Sequence, residues 1–184
     1  MSSKLRIIGG EWRSRQIEFD DAPGLRPTPS RVRETLFNWL QTDIAGSRCL
    51  DLFAGSGALG FEAASRGAKS VTMVDSNGKT CRKLQENIDR LGAVQISVRQ
   101  SEALSVLAAC NEAFDLVFLD PPFAQNLIPP VCRALTGQGV LAPHAKIYLE
   151  TERGLKLEDL PAAWTLSKQK TAGEVSYCLY RVAG

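Results

Sequence analysis

The stretch Asp51-Leu52-Phe53-Ala54-Gly55-Ser56-Gly57-Ala58-Leu59-Gly60 joins the end of a short apolar run (49–53) to a GxGxxG turn and a small-residue helical pattern (57–65). Its glycines permit a tight turn and a close approach of backbone to a ligand. Outward from it, strand patterns at 70–74, 94–99, 114–119 and 145–150 alternate with helical patterns at 79–91, 102–110 and 126–135. A short helix is predicted near Leu157, then strands at 164–169 and 175–181 around Ala172-Gly173. A βαβα rhythm of this kind predicts an α/β fold with a mostly parallel sheet and helices on both faces, closed here by an antiparallel hairpin. Ligands of such sheets bind beyond the carboxyl ends of the strands. Asp51 and the glycine turn, Asp75, the Ser101-Glu102 pair and Asp120-Pro121-Pro122-Phe123 all fall there.

The N-terminal part reads differently. Two strand-like runs, 4–8 and 15–19, flank Gly9-Gly10 and Trp12 and predict a hairpin. A Pro-rich loop over 20–29 leads to Ser30, a predicted helix cap, and a helix to about Gln41 with Val32, Leu36, Trp39 and Leu40 on one face. The formal net charge of the 184 residues is +2. Residues 1–33 nevertheless hold seven basic side chains (Lys4, Arg6, Arg13, Arg15, Arg26, Arg31, Arg33) against four acidic ones. A local excess of +3 on a near-neutral body points to a polyanionic partner.

Composition excludes several classes. The chain is long enough to bury a core unaided, and 44% hydrophobic with 23% charged residues is an ordinary globular balance. No apolar run spans a bilayer and the first residues lack a signal-peptide core, so a cytoplasmic protein is expected. Five scattered cysteines without a CxxC pair and a single histidine, His144, in a Pro-bounded loop, argue against a metal site and against Ser-His or Cys-His catalysis. The cysteines read as buried apolar residues of a reducing compartment.

The GxGxxG turn followed by Asp75 fits a nicotinamide dinucleotide, and equally S-adenosylmethionine. Asp51 lies four residues before the first glycine, where it would crowd a pyrophosphate but suits a cationic, phosphate-free ligand. Asp120-Pro121-Pro122-Phe123 follows a strongly apolar strand. Two prolines stiffen this loop and remove donors, leaving the Asp120 carboxylate and the Pro121 carbonyl as acceptors for one amino group. Phe123 offers a face for a base to stack on.

Asp51 through Gly57 with Asp120 through Phe123 resembles the class I methyltransferases of exocyclic amines. Arg6-Ile7-Ile8-Gly9-Gly10, Trp12-Arg13, Leu25-Arg26-Pro27-Thr28 and the run from Arg31 to Leu40 narrow the likeness. Over nearly the whole chain the sequence resembles the RsmD family of bacterial 16S rRNA guanine-N2 methyltransferases.

The resemblance implies a doubly wound, Rossmann-like sheet of seven strands, mostly parallel with the last strand antiparallel, at 43–184, and a hairpin-and-helix extension at 1–42. It also implies S-adenosylmethionine as methyl donor and a guanine of 16S rRNA, in the assembled small subunit, as target. No metal and no membrane are expected, and a monomer is the starting expectation. The implied catalytic set is Asp120, Pro121, Pro122 and Phe123. The implied cofactor set is Asp51, Phe53, Ala54, Gly55, Ser56, Gly57, Asp75, Ser76, Glu102 and Asp120. Arg6, Arg13, Arg15, Arg26, Arg31 and Arg33 are implied to meet RNA, with Thr28 and Arg33 as alternatives for the cofactor pocket. Asp75 stands where the family often has Glu, and Ser30 where Asp is common. A nicotinamide oxidoreductase leaves Asp120–Phe123 unexplained, and a non-catalytic RNA-binding module leaves every motif unexplained. The loop reads an amino group, and says less about which base carries it.

Overall fold

The computed structural model describes residues 1–137 and 139–184. A two-stranded antiparallel hairpin, β1 (Ser2–Arg6) and β2 (Gln16–Asp20), precedes α1 (Ser30–Trp39). The remainder runs β3 (Arg48–Asp51), α2 (Ala58–Ser65), β4 (Ser70–Asp75), α3 (Gly78–Leu91), β5 (Ile96–Gln100), α4 (Ala103–Ala108), β6 (Phe114–Leu119), α5 (Ile128–Gly137), β7 (Leu141–Glu152), β8 (Trp164–Ala172) and β9 (Val175–Val182). Seven strands form one sheet in the order β5-β4-β3-β6-β7-β9-β8. β3 to β7 pair in parallel, and β9 is antiparallel to both β7 and β8. The strand order reverses between β3 and β6, which opens a crevice at their carboxyl ends.

Both faces are covered, so the central strands are mostly apolar and their side chains divide by alternation. In β6, Leu116 and Phe118 face one core with the hairpin, α1, α2 and α3, while Val117 and Leu119 face another with α4 and α5. The extension belongs to the first core: Ile7, Trp12, Ile17, Val32, Leu36 and Phe37 are buried among Phe61, Met73 and Phe118. Phe37 lies 6.0 Å from the Phe118 ring, and Trp39 stacks at 5.5 Å on Tyr177 of β9.

Every residue of α2 is buried. Its polar members hold the extension. The fully enclosed Glu62 carboxylate accepts from the Ile8 N–H (3.0 Å), the Gly9 N–H (2.8 Å), Arg66 (2.8 Å) and Arg33 (3.4 Å). Ser65 receives the Trp12 N–H and donates to the Gly9 carbonyl, and its own carbonyl accepts from the Glu11 N–H.

Three local expectations change. No helix forms near Leu157: residues 153–163 are irregular, with turns at 153–154 and 162–163 and a bend at Asp159. Gly154 and Asp159 there adopt positive φ, and Pro161 removes a donor. Ser30 does not cap α1: it is the first helical residue, after Pro29 at the cap, and its hydroxyl accepts from Arg33. His144 lies within β7 at positive φ, where the pairing of β6 with β7 shifts register.

Removing one partner of a buried charge network costs about 3–5 kcal/mol. Glu62→Ala is therefore expected to lose that much stability in chemical denaturation and to make the hairpin the first site of proteolysis. A loss below about 1 kcal/mol would show that the extension is held by packing alone.

Candidate active site

The glycine turn sits at the crevice. Gly57 adopts φ 81° as the residue before α2, and a Cβ there would come within 2.7 Å of the Leu84 and Phe61 side chains. Gly60 serves packing: its Cβ would lie 2.3 Å from Met73, so α2 presses on β4 only with glycine present. Asp75, at the end of β4, accepts the Gly55 N–H at 3.0 Å and the Asn77 N–H at 2.9 Å. It fixes the turn and stays half exposed. Asn77 caps α3 through the Lys79 and Thr80 N–H groups, leaving Ser76 exposed at the rim. Phe53 is half-buried and Ala54 buried between the turn and the sheet. Glu102, just before α4, is exposed with its side chain uncommitted to a cap.

Strand register brings the acids together. Asp51 pairs with Met73 and Phe118, and Phe118 pairs with Tyr148. Two residues further along, on the same face, stand Asp75, Asp120 and Glu150. Asp51 is 1% exposed and neither of its carboxylate oxygens has a hydrogen-bond partner. Burial, reinforced by Asp75, pushes it up to about 7, while the Phe53 and Gly60 backbone lean towards it and offset part of that. Asp120 keeps a partly accessible edge but is otherwise walled in. Burial first, then Glu150 and Asp51, hold its carboxyl well above the usual range, and the Thr28 side chain offsets part of the shift.

An enclosed carboxylate with no partner is costly and calls for a cation or a donor-rich ligand. The amino and sulfonium groups of S-adenosylmethionine meet that demand, and the tight backbone of the glycine turn allows the approach. The residues present fit this cofactor: Asp51 and the Gly55–Gly57 backbone for its amino-acid end, Asp75 for its ribose. Thr28, 4% exposed, lies against Asp120. Leu25 lies over the glycine turn, within 2.8 Å of where a Gly55 Cβ would stand. The extension therefore reaches the site itself.

Pro121 and Pro122 lead from β6 into a 3-10 turn, Phe123–Gln125. Pro121 is buried, and Phe123 is 42% exposed. A cleft of about 170 Å³ opens between this loop and the segment after β7, lined by Phe123, Asn126, Leu127, Leu155, Lys156 and Leu157 among others. Its apolar walls with a few polar groups suit a flat ring.

Arg6, Arg13, Arg15, Arg26 and Arg31 are exposed and make no ion pair among the described residues. Arg33 does not join them. It is 2% exposed, bonded to the Thr28 and Arg6 carbonyls and paired with Glu62, so it braces the extension and is closed to a phosphate. Sequence reasoning also missed Glu62, Tyr148 and Glu150. Glu150 carries a faint signal, an acid directly after the apolar run 147–149. All five cysteines are buried and free, and among the described residues no helix is long and apolar enough to cross a membrane.

Residues 5–181 match the family described as Conserved hypothetical protein 95. Ribosomal RNA small subunit methyltransferase D of Escherichia coli strain K12 is 46% identical over 180 residues, covering 98% of this chain and 91% of that protein. The protein of the same name from Haemophilus influenzae is 46% identical over 182 residues, covering 97% and 94%. The solved structure of yhhF from Escherichia coli superposes with a TM-score of 0.92 at 42% identity, covering 98% of this chain and 99% of that one.

Asp51 has a stability signature. Its folded value of about 7 exceeds that of an unfolded aspartate, so the folded state holds the extra proton. The resulting stabilisation is complete below about pH 4 and is lost as pH rises through about 7. Asp51→Asn is expected to melt above the wild type at pH 8, with the gap closing towards pH 5, in paired thermal melts. A gap independent of pH would contradict a buried, ionisable Asp51.

Proposed function

This chain belongs to the RsmD family of methyltransferases, whose cofactor is S-adenosylmethionine, and from that premise we propose that it methylates the exocyclic N2 amine of a guanine in 16S rRNA within the assembled small subunit. The observation that carries this reading is the Asp120–Phe123 loop. In four consecutive residues it carries a walled-in carboxylate at the end of β6, a proline pair and a partly exposed ring, and Pro121, Pro122 and Phe123 line a cleft of about 170 Å³. The N2 amine of guanine presents two N–H donors, which suits a pair of acceptors.

Bound S-adenosylmethionine supplies a methyl group already activated on a sulfonium. The rest falls to the chain. An aromatic amine is a weak nucleophile because its lone pair is delocalised into the ring, so alignment matters most. Asp120 and the Pro121 carbonyl each accept one N2–H bond. Those bonds favour a pyramidal nitrogen with its lone pair turned towards the methyl carbon. With that donor bound, both acceptors would hold the N2 nitrogen more strongly as it gains positive charge, which stabilises the transition state over the ground state. The surplus N2 proton then passes to the Asp120 carboxylate. Phe123 stacks on the base, which is drawn out of its helix or loop.

The exposed arginines complete the reading. Arg6, Arg13 and Arg15 on the hairpin, with Arg26 and Arg31 ahead of and within α1, contact phosphates and fix the register of the RNA without reading bases. Residues 1–42 act as the substrate-adapting part and residues 43–184 as the methyltransferase part. The chain acts as a monomer.

Two outcomes test this. Asp120→Ala is expected to lower transfer of labelled methyl to small-subunit particles by about 10²-fold or more, with S-adenosylmethionine affinity changed only a few fold; wild-type turnover would remove Asp120 from the mechanism. Arg13→Glu with Arg15→Glu is expected to raise KM for the particle at least several-fold and flatten its salt dependence, leaving cofactor affinity unchanged. An unaltered KM would place the RNA elsewhere.

A further inference from the structure

The reaction above leaves one buried acid unused. Leu119 and Leu149 are register partners in β6 and β7, so Asp120 and Glu150 are the next pair along, side by side on one face. Glu150 is 6% exposed, and its Oε2 accepts from the Tyr148 hydroxyl at 2.9 Å. It makes no ion pair among the described residues. Its backbone partner in β9 is Tyr177, whose ring lies 6.4 Å from that of Tyr148 and is covered by Trp39. The groups around Glu150 are thus Asp120 on β6, Tyr148 on its own strand and Tyr177 on β9, with Asp51 beyond Asp120. From α1, Trp39 stacks on Tyr177, and Phe37 packs on Phe118 one register row back. The cation over Phe37, Arg66, is committed to Glu62.

A carboxylate in such a place is expensive, and an apolar side chain would pack there at less cost. A local rule broken inside a sheet, next to a reacting group, marks a functional demand. We propose that Glu150, clamped by the Tyr148 hydroxyl and set side by side with Asp120, is a positioning residue for methyl transfer: its charge beside Asp120 helps that carboxylate take up the proton the amine releases. Burial raises Glu150, and the Tyr148 hydrogen bond opposes this by favouring its charged form. The charged Glu150 in turn favours a protonated Asp120. The proposal rests on Asp120 as the amine's acceptor.

The sign of the effect follows. Without the Glu150 charge, Asp120 ionises at lower pH, so the acid limb of the rate moves down. Single-turnover methyl transfer to small-subunit particles between pH 5.5 and 9 reads this directly. Glu150→Gln is expected to shift the acid limb down by about one pH unit and to slow the rate above it. Glu150→Asp is expected to restore the limb towards its wild-type position. Tyr148→Phe, which lowers the charge on Glu150, is expected to give a smaller shift in the same direction and serves if the Gln variant does not fold. A second readout needs no turnover: at pH 8 the melting-point gain of Glu150→Gln is expected to shrink in an Asp120→Asn background. An acid limb unmoved in both Glu150→Gln and Tyr148→Phe, with Asp120→Asn inactive, overturns the role of Glu150 alone. An Asp120→Asn variant that works at the wild-type rate overturns the assignment of Asp120 and this role with it.

Discussion

The Glu62 carboxylate is the joint on which the molecule turns. It is fully enclosed in α2 and satisfied by two backbone N–H groups of the hairpin and two guanidinium groups. Arg33, one of those groups, reaches on to the Arg6 and Thr28 carbonyls. This acid, with Ser65 and the shared core, joins the hairpin, α1 and the glycine helix into a single body. The consequence is positional: Thr28 is set against Asp120 and Leu25 against the glycine turn. The extension therefore shapes the catalytic crevice as well as carrying the basic face, and the two roles are coupled through the same helix.

The acids at the crevice are the opposite case. Glu62 is buried and satisfied, whereas Asp51 is buried and orphaned. Asp120 and Glu150 face each other with no ion pair among the described residues. Such groups cost stability, and the cost is met by two apolar cores and the interlocked extension. Sites that must bind a cation or take up a proton are where a fold tolerates this. The register of β3, β6 and β7 makes the arrangement possible, because residues two apart on neighbouring parallel strands share a face.

Much of this was legible in the chain. The alternation of apolar strands with amphipathic helices reads directly as the doubly wound sheet, since the central strands are covered on both faces. The glycine turn, Asp75 and the Asp120–Phe123 loop announce themselves because backbone demands and chemistry coincide in short motifs. What was hidden depends on long-range placement. Arg33 reads as one more arginine of a basic segment, and only the fold shows it turned inward on Glu62, 29 residues away. Glu150 ends an apolar run and precedes Thr151-Glu152, and its meaning comes from its neighbour on β6. Ser30 resembles a cap, yet the chain enters α1 through Pro29. The helix expected near Leu157 is overridden by turns around Gly154 and Asp159.

The proposed reaction turns on one atom, the N2 of a guanine. The most direct measurement is nucleoside mass analysis of 16S rRNA after methyl transfer in assembled small subunits, set against RNA from the same particles before reaction. The expected product is N2-methylguanosine at a single position, absent with Asp120→Ala. A methylated adenosine or cytidine, or a methyl group on another guanine atom, would contradict the account.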